Sequence, residues 1–376
     1  MSIFSRKYSI KTRPKKITGL EAFIIRFYIL MIGFAFIGVI FLINGVNPFE
    51  AYFELIRIAF FTDFGLSATI MNFIPLLLIG LGIAIPAKAQ IDNIGAEGQF
   101  IIGILGAYWV AFTFPDMTSI LLIPLMFVAG FVFGAIWALP IAIFRVKGGF
   151  KGADVVVSFL LVFPAIELLK YMIANDWKAE GQGYPRSDPI SSNAEIPILG
   201  DYGISFFSDI HLTLFLGLIF VYLTNSLLFK KVDGIPKTKL GYEIEIVGNN
   251  QNAGRIAGIN FMKIALITSI ISGGFAGIAG VGHLAGNRNN LALIPSLSAG
   301  FGFVGIAVAW LGGLNPIGIV FSALLFGGLL TGNIALQGKF GLPATTVDLL
   351  NGTILIFVIL SEFYLKFTLE RTDTNE

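Results

Sequence analysis

Apolar residues gather along the chain into runs near the ~20-residue length that a helix needs to cross the hydrocarbon core of a bilayer. The pattern predicts ten spans, at 22–43, 66–86, 91–113, 118–144, 153–173, 210–229, 261–283, 298–314, 317–336 and 344–366. The expected fold class is all-α, a polytopic membrane protein with a basic arm at 1–21, a membrane domain at 22–366 and a tail at 367–376. Two longer polar segments interrupt it: 174–209, which carries Pro185, Pro189 and Pro197, and 230–260.

One short break is unlike the others. The stretch IDNIGAEGQF at 91–100 sets an acid, amides and two glycines between apolar runs. A carboxylate at membrane depth costs on the order of 3 kcal/mol. Gly95 and Gly98 each weaken a helix by roughly 1 kcal/mol relative to Ala, which favours a break or a re-entrant segment. A helix starting near Asn93 would place Asn93 and Glu97 on one face at i and i+4, with Gln99 turned elsewhere to pack. Two readings stay open: a solvated cytoplasmic turn beside Lys88 and Asp92, or the polar lining of a translocation path.

A second stretch favours the lining. Residues 294–318, IPSLSAGFGFVGIAVAWLGGLNPIG, again interrupt an apolar run with glycines, around Phe301 and Phe303. The predicted pairs 66–113 and 261–314 run through the membrane in opposite senses. Gly-broken segments at corresponding places of inverted halves point to a transporter's central pathway. The candidate pathway residues are Asn72, Asn93, Glu97, Gln99, Phe301 and Phe303. A third glycine-rich stretch, SGGFAGIAGVG at 272–282, spaces small residues four apart, which suits close helix packing.

Composition sharpens the class and charge sets the orientation. The chain has 376 residues, 56% hydrophobic and 13% charged, and its mean hydropathy of +0.84 lies far outside soluble domains. With the N-terminus in the cytoplasm, 18 of the 25 Lys and Arg residues fall inside, among them Arg6, Lys7, Lys15, Lys16 and Lys151. Both termini are therefore expected to be cytoplasmic. Arg26 lies within the first span, near enough to its end to snorkel. The basic arm leads straight into a full-length span, as a retained signal anchor does.

The absence of cysteine excludes disulfides, thiolate metal sites and cysteine nucleophiles. His211 and His283 read as loop or helix-end residues, and no metal is expected. No GxxxxGK[ST] phosphate loop is present, so the chain is not itself an ATPase, and no HExxH or GxSxG speaks for a hydrolase. A transporter subunit, an ion-coupled carrier using Glu97 and Asp348, and a membrane scaffold are the classes left. Asp348, beside Thr345 and Thr346, is more simply a helix N-terminal residue.

The 230–260 segment decides among them. Gly241, Glu243, Val247, Gly248, Asn250, Ala253, Ala257, Gly258 and Ile259 form a pattern that resembles the loop by which permeases of ABC importers of the branched-chain amino acid and simple-sugar class engage their ATPase. NIGAEGQ, NPFEAY at 47–52 and GFGFVGIAVAWLGGLNPIG at 300–318 are similar to motifs of the nucleoside subgroup of these permeases, and the likeness runs from about residue 44 to 364. There are departures. Gly254 and Ile256 replace the usual small and aromatic residues of the loop. Asp154 and Val155 stand where the subgroup has an Asn-Glu pair, and Val162 stands near a membrane-embedded Asn, so polarity typical of nucleoside permeases is missing there.

The resemblance implies a permease for a nucleoside, or alternatively a simple sugar or similar small solute, in the inner membrane of a prokaryote. It implies a second permease subunit, identical or paralogous, an extracytoplasmic solute-binding protein, surrounding membrane lipid, and two cytoplasmic ATPases that hold ATP and Mg. No cofactor on this chain and no nucleic-acid partner are implied. Gly241, Glu243, Gly248, Asn250, Ala253, Arg255 and Gly258 would form the ATPase-coupling segment. A short helix at Asn252–Ala257, hinged by Gly248 and Gly258, would transmit ATPase closure to the spans.

Overall fold

The computed structural model describes residues 8–13, 17, 19–148, 150, 152–181, 183–203, 209–294 and 297–371. Of the expected basic residues, Arg6, Lys7, Lys15, Lys16 and Lys151 lie outside these, as does the side chain of Asp348. In chain order the elements begin with β1 (Tyr8–Thr12), α1 (Gly19–Ile43), α2 (Pro48–Phe61), α3 (Asp63–Lys88), α4 (Ala96–Thr113), α5 (Ser119–Lys147), α6 (Ala153–Leu160), α7 (Val162–Ala174) and α8 (Thr213–Thr224). After the short ribbon β2 (Lys231–Val232) and β3 (Ile235–Pro236) come α9 (Lys239–Asn249), α10 (Gln251–Ile256), α11 (Phe261–His283), α12 (Phe301–Leu311), α13 (Pro316–Phe340), α14 (Ala344–Lys366) and β4 (Phe367–Arg371). Among the described residues seven helical stretches are long and apolar enough to cross a membrane: α1, α3, α5, α6 with α7, α11 with its π-helical extension to Arg288, α13, and Leu349–Lys366 of α14. This is a multi-pass membrane protein.

Four expected spans differ in detail. The helix of the third starts at Ala96, not near residue 91. The sixth is α8 followed by a π-turn at Asn225–Phe229. The eighth is only the 11-residue α12, about 16 Å long, which cannot cross ~30 Å of hydrocarbon alone. The fifth is interrupted between α6 and α7 at Leu161. Pro164 lacks the N–H that would bond the carbonyl one turn back, and the indole of Trp137 donates to the Leu161 carbonyl at 3.1 Å.

The chain divides into two compact units, one of the described residues up to Glu54 and from Asn333 onward, the other of Leu55–Gly332. In the first, α1 packs on α14, and a Cβ on Gly33 would lie 2.9 Å from the Phe357 ring. β1 pairs antiparallel with β4, Tyr8 opposite Arg371 through Thr12 opposite Phe367, so the two ends lie on the same side of their helices. Arg26 does not snorkel alone: its Nε donates to Glu362 at 2.7 Å, with both side chains largely buried.

In the second unit the glycines of α11 do what their spacing predicts. Gly277 meets both α4 and α5: its Cβ would lie 2.0 Å from the Gly130 carbonyl oxygen, and one on Gly103 would lie 2.3 Å from the Gly277 Cα. Such contact leaves room for nothing larger than hydrogen, and α11 becomes the buried axis around which α3, α4 and α5 are set. The loop at 174–209 is tied to the chain after α11 by Ser187 N–H to the Leu291 carbonyl at 3.1 Å and Ile190 N–H to the Asn289 carbonyl at 2.7 Å. His211 follows that loop, just before α8, and His283 ends α11, both buried.

Candidate translocation site

Between α3 and α4 the backbone does not turn directly from one helix to the next. Residues 91–95 run as a non-helical strap that climbs alongside α11. Its Asn93 Nδ2 donates to Ser272 Oγ at 2.9 Å. Ser272 lies about eleven residues along α11 from Phe261, roughly 16 Å up a helix of 1.5 Å rise. Irregular backbone at that depth survives only inside protein, with every polar group matched. The strap meets this demand from neighbouring helices. Asp154 Oδ2 on α6 accepts the Asp92 N–H at 3.0 Å, and Ser158 Oγ accepts the Ile94 N–H at 3.1 Å. Asn93 Oδ1 accepts the Gly95 N–H at 3.0 Å. This last bond is a local side-chain turn that competes with helix, which is why α4 begins at Ala96.

The expected shared face of Asn93 and Glu97 is therefore overturned: Asn93 lies before the helix. Its partner is Gln99, which does not stand apart. The two amides pair reciprocally, Asn93 Nδ2 to Gln99 Oε1 at 2.8 Å and Gln99 Nε2 to Asn93 Oδ1 at 3.0 Å. Glu97 reaches across to α12, where its Oε2 accepts the Gly302 N–H at 2.7 Å. The Ser298 hydroxyl also hydrogen-bonds its carboxyl. Asn93, Glu97 and Gln99 are 3%, 2% and 1% exposed, so in this conformation the stretch is no solvated turn.

Two helix N-termini thus converge on Glu97, the first turn of α4 from which it projects and the first turn of α12 that it caps. Each brings unpaired N–H groups and the positive end of its dipole. The approach is as close as backbones allow: a Cβ on Gly302 would sit 2.1 Å from the Glu97 nitrogen. Gly95 serves the same end, since a Cβ there would sit 2.3 Å from the Ser158 carbonyl oxygen. These glycines admit neighbouring backbone rather than merely breaking a helix.

Above Glu97, Phe301 packs with Phe100 and His283, at ring-centroid distances of 5.8 and 5.1 Å. Phe303 is half-buried on the next turn side of α12. Asn72 is not brought to this cluster. It donates to Thr331 Oγ1 at 3.1 Å and lies on α3 about 15 Å from Gly82, the residue that touches Ser272. Residues that sequence reasoning passed over are Ser158, Ser272, Ser298 and Gly302. Serines in apolar runs gave no signal of their own, and only the glycines beside them marked the place.

The base of the strap reaches the 230–260 segment. Gln90, in left-handed backbone at φ 57°, donates its side-chain amide to the Gly248 carbonyl at 2.7 Å. A Cβ on Gly248 would meet the Lys88 carbonyl oxygen at 1.8 Å, and one on Gly241 the Leu228 carbonyl oxygen at 2.7 Å. Helix α9 is thus seated by two glycines. Thr238 caps it by accepting the Gly241 N–H, and Glu243 faces Lys239 at 3.8 Å. Asn250 caps α10 by accepting the N–H groups of Asn252 and Ala253 at 3.0 and 3.1 Å. Beyond it Ala253, Arg255, Ile256 and Gly258 are exposed, Ile256 at 87%. The short helix expected at 252–257 is α10, with Gly258 at φ 78° ending it.

Comparison with known proteins shows the family. The family described as branched-chain amino acid transport system / permease component matches residues 65–359. The chain is 31% identical to the glucose ABC transporter permease protein TsgB13 of Haloferax volcanii, over 88% of this chain and 85% of that protein. It is 30% identical to the nucleoside ABC transporter permease protein NupB of Lactococcus lactis, over 88% of each. It is 29% identical to the guanosine ABC transporter permease protein NupP of Bacillus subtilis, over 90% and 93%. No solved structure matches the chain significantly. The match spans most of the membrane-crossing helices, the strap and the α9–α10 loop, and the chain belongs to the permease-component family of branched-chain amino acid transport systems.

Proposed function

We propose that the chain forms the translocation path of an ATP-binding-cassette importer for a neutral, hydroxyl-bearing small solute, a nucleoside or a simple sugar. One observation carries the reading: a buried polar strap meets two helix N-termini inside the apolar helices, and its base is bonded to the exposed α9–α10 loop. The lining offers amides and hydroxyls, Asn93, Gln99, Ser272 and the buried, unpartnered hydroxyl of Ser269, which suit a solute that donates and accepts hydrogen bonds without net charge. The relatives named for glucose, nucleoside and guanosine support the same class.

On this reading the α9–α10 segment, Gly241 to Gly258, docks the ATPase that holds ATP and Mg. A second permease subunit completes the pore, and an extracytoplasmic binding protein delivers solute. On this reading the strap with α4 completes one pass and α12 marks another, so ten passes leave both termini on the cytoplasmic side. The pairing of β1 with β4 supports that parity. The test is gentle purification from native membrane, identification of co-purifying subunits, and uptake of radiolabelled guanosine and glucose into vesicles. Recovery of a lone protein whose uptake follows an ion gradient without ATP would replace the importer with a self-contained carrier.

A further inference from the structure

We infer that Gln90 is the positioning residue through which movement of the ATPase-docking segment is passed to the strap at 91–95; the inference rests on the coupling reading above. Helix α9 abuts the end of α3 with no slack, because the Gly248 Cα lies against the Lys88 carbonyl so closely that a Cβ would approach it to 1.8 Å. Packing of this kind pushes but does not pull. The pulling contact is polar: the Gln90 side-chain amide donates to the Gly248 carbonyl at 2.7 Å, while its own carbonyl accepts from Arg145 Nε at 3.0 Å. Arg145 lies 3.5 Å from Asp154, whose carboxylate holds the Asp92 N–H, and its guanidinium also stands over the ring of Phe261, the first residue of α11. Gln90 therefore joins the end of α9 to the foot of the strap.

Only Ile91 and Asp92 separate Gln90 from Asn93, so a displacement at residue 90 reaches Asn93 through a short covalent link. Asn93 is paired with Gln99 on α4 and Ser272 on α11, and the displacement arrives at the polar cluster. The left-handed backbone at Gln90 places its side chain back toward α9 while the main chain turns up toward α4. Alanine there retains a Cβ and meets the same backbone demand, so Gln90→Ala removes the amide without adding backbone strain.

The test is hydrogen exchange on the intact complex of permease and ATPases in nanodiscs, without nucleotide and with a non-hydrolysable ATP analogue and Mg. In the wild type the nucleotide changes exchange in both 239–257 and 91–99, at least fivefold in the second. In Gln90→Ala the change in 239–257 persists and that in 91–99 falls below twofold. Gln90→Glu, isosteric but without the donor, behaves the same way and serves where Gln90→Ala does not assemble. A wild-type response at 91–99 in either variant overturns the inference, as does a wild-type complex whose 91–99 region ignores nucleotide, or failure of both variants to assemble, which makes Gln90 a packing residue. Ile256→Asp on the exposed face of α10 separates the underlying reading: if that variant keeps its ATPase and its nucleotide response, the coupling reading itself falls, whatever Gln90 does.

Discussion

The crossing of α4 and α12 has a consequence that one methyl group tests. In Gly302→Ala the new Cβ would sit 2.1 Å from the Glu97 nitrogen, 2.3 Å from its Cα and 2.7 Å from the Ala96 carbonyl carbon, all of them backbone atoms that no rotamer change can move. Ordinary contact lies near 3.5 Å, so the helix N-termini must part by roughly 1.4 Å. The 2.7 Å bond from Gly302 N–H to Glu97 then stretches toward about 4 Å, beyond hydrogen-bonding range. Overpacking costs about 1–3 kcal/mol, and leaving a buried donor and acceptor unmatched costs about 1–3 kcal/mol more. Alanine's better helix propensity returns at most ~1 kcal/mol. The expected net loss is about 3 kcal/mol, or two orders of magnitude in the folded-state equilibrium. Gly352→Ala on α14, where a Cβ meets nothing within 4 Å, is the matched control and should be neutral or slightly stabilising. The assay is thermal loss of the monodisperse species in detergent for the three proteins. If Gly302→Ala melts with the wild type, the close crossing does not exist in solution and the geometry of the site is wrong.

Three further perturbations follow from the same geometry. Glu97→Gln keeps an acceptor for Gly302 but removes the carboxylate from two helix N-termini, so solute uptake should fall while the complex with the ATPase still co-purifies; unchanged uptake would reduce Glu97 to a cap for α12. Arg26→Met leaves Glu362 buried without its partner and should lower stability by about 3 kcal/mol, recovered largely by adding Glu362→Leu; additive rather than compensating effects of the two changes, read by thermal melting, would refute a functional pair. Burial pushes the His211 imidazole down to about 4, against about 6.5 unfolded, so its neutral form contributes stability that is full above pH 6.5 and lost as pH falls toward 4. The loss is roughly 2 kcal/mol by pH 5. Melting at pH 7.5 and pH 5 should show this loss in the wild type and less of it in His211→Gln; an equal slope in both would refute the assignment.

Hydropathy located the long helices well because their signal is local. The expected 261–283 and 344–366 coincide with α11 and α14 to within a residue at each end. It passed over α2, whose Glu50, Glu54 and Arg57 break the apolar run although the segment is helical. It also overextended α12, where residues 298–300 are apolar or small yet lead into the helix from outside it. The β1–β4 pair joins segments some 360 residues apart, beyond the reach of any local pattern. In the site, the residue types were legible and their partners were not. Asn93 and Gln99 are six apart, a spacing without meaning on a helix, and they pair because the strap doubles back on the first turn of α4. Glu97 and Gly302 are separated by 205 positions. The glycines stood out at once, but sequence gave no way to tell a backbone break from a backbone contact, because both remove the side chain.

The polar groups of this cluster are neutral or tied, and that bears on how such a site could open. A lone carboxyl in hydrocarbon costs on the order of 3 kcal/mol, and each free backbone N–H in the strap would add comparably. Here Asp92, Ile94 and Gly95 give their N–H groups to Asp154, Ser158 and Asn93, and Glu97 is held by the N-terminus of α12. In this conformation the Ser269 hydroxyl and one Asp154 oxygen are left unmatched, while the strap N–H groups, the amides and Glu97 are paired. Parting α4 from α12, or the strap from α11, would free Glu97, the Gly302 N–H, the Asn93–Gln99 amides and Ser272 together. On the proposed reading a solute with several hydroxyls or amides takes over those bonds as they break, and an apolar molecule of equal size cannot. Selectivity at this point then follows, on that reading, from what the site must satisfy: a solute passes when it replaces the hydrogen bonds that the chain makes with itself.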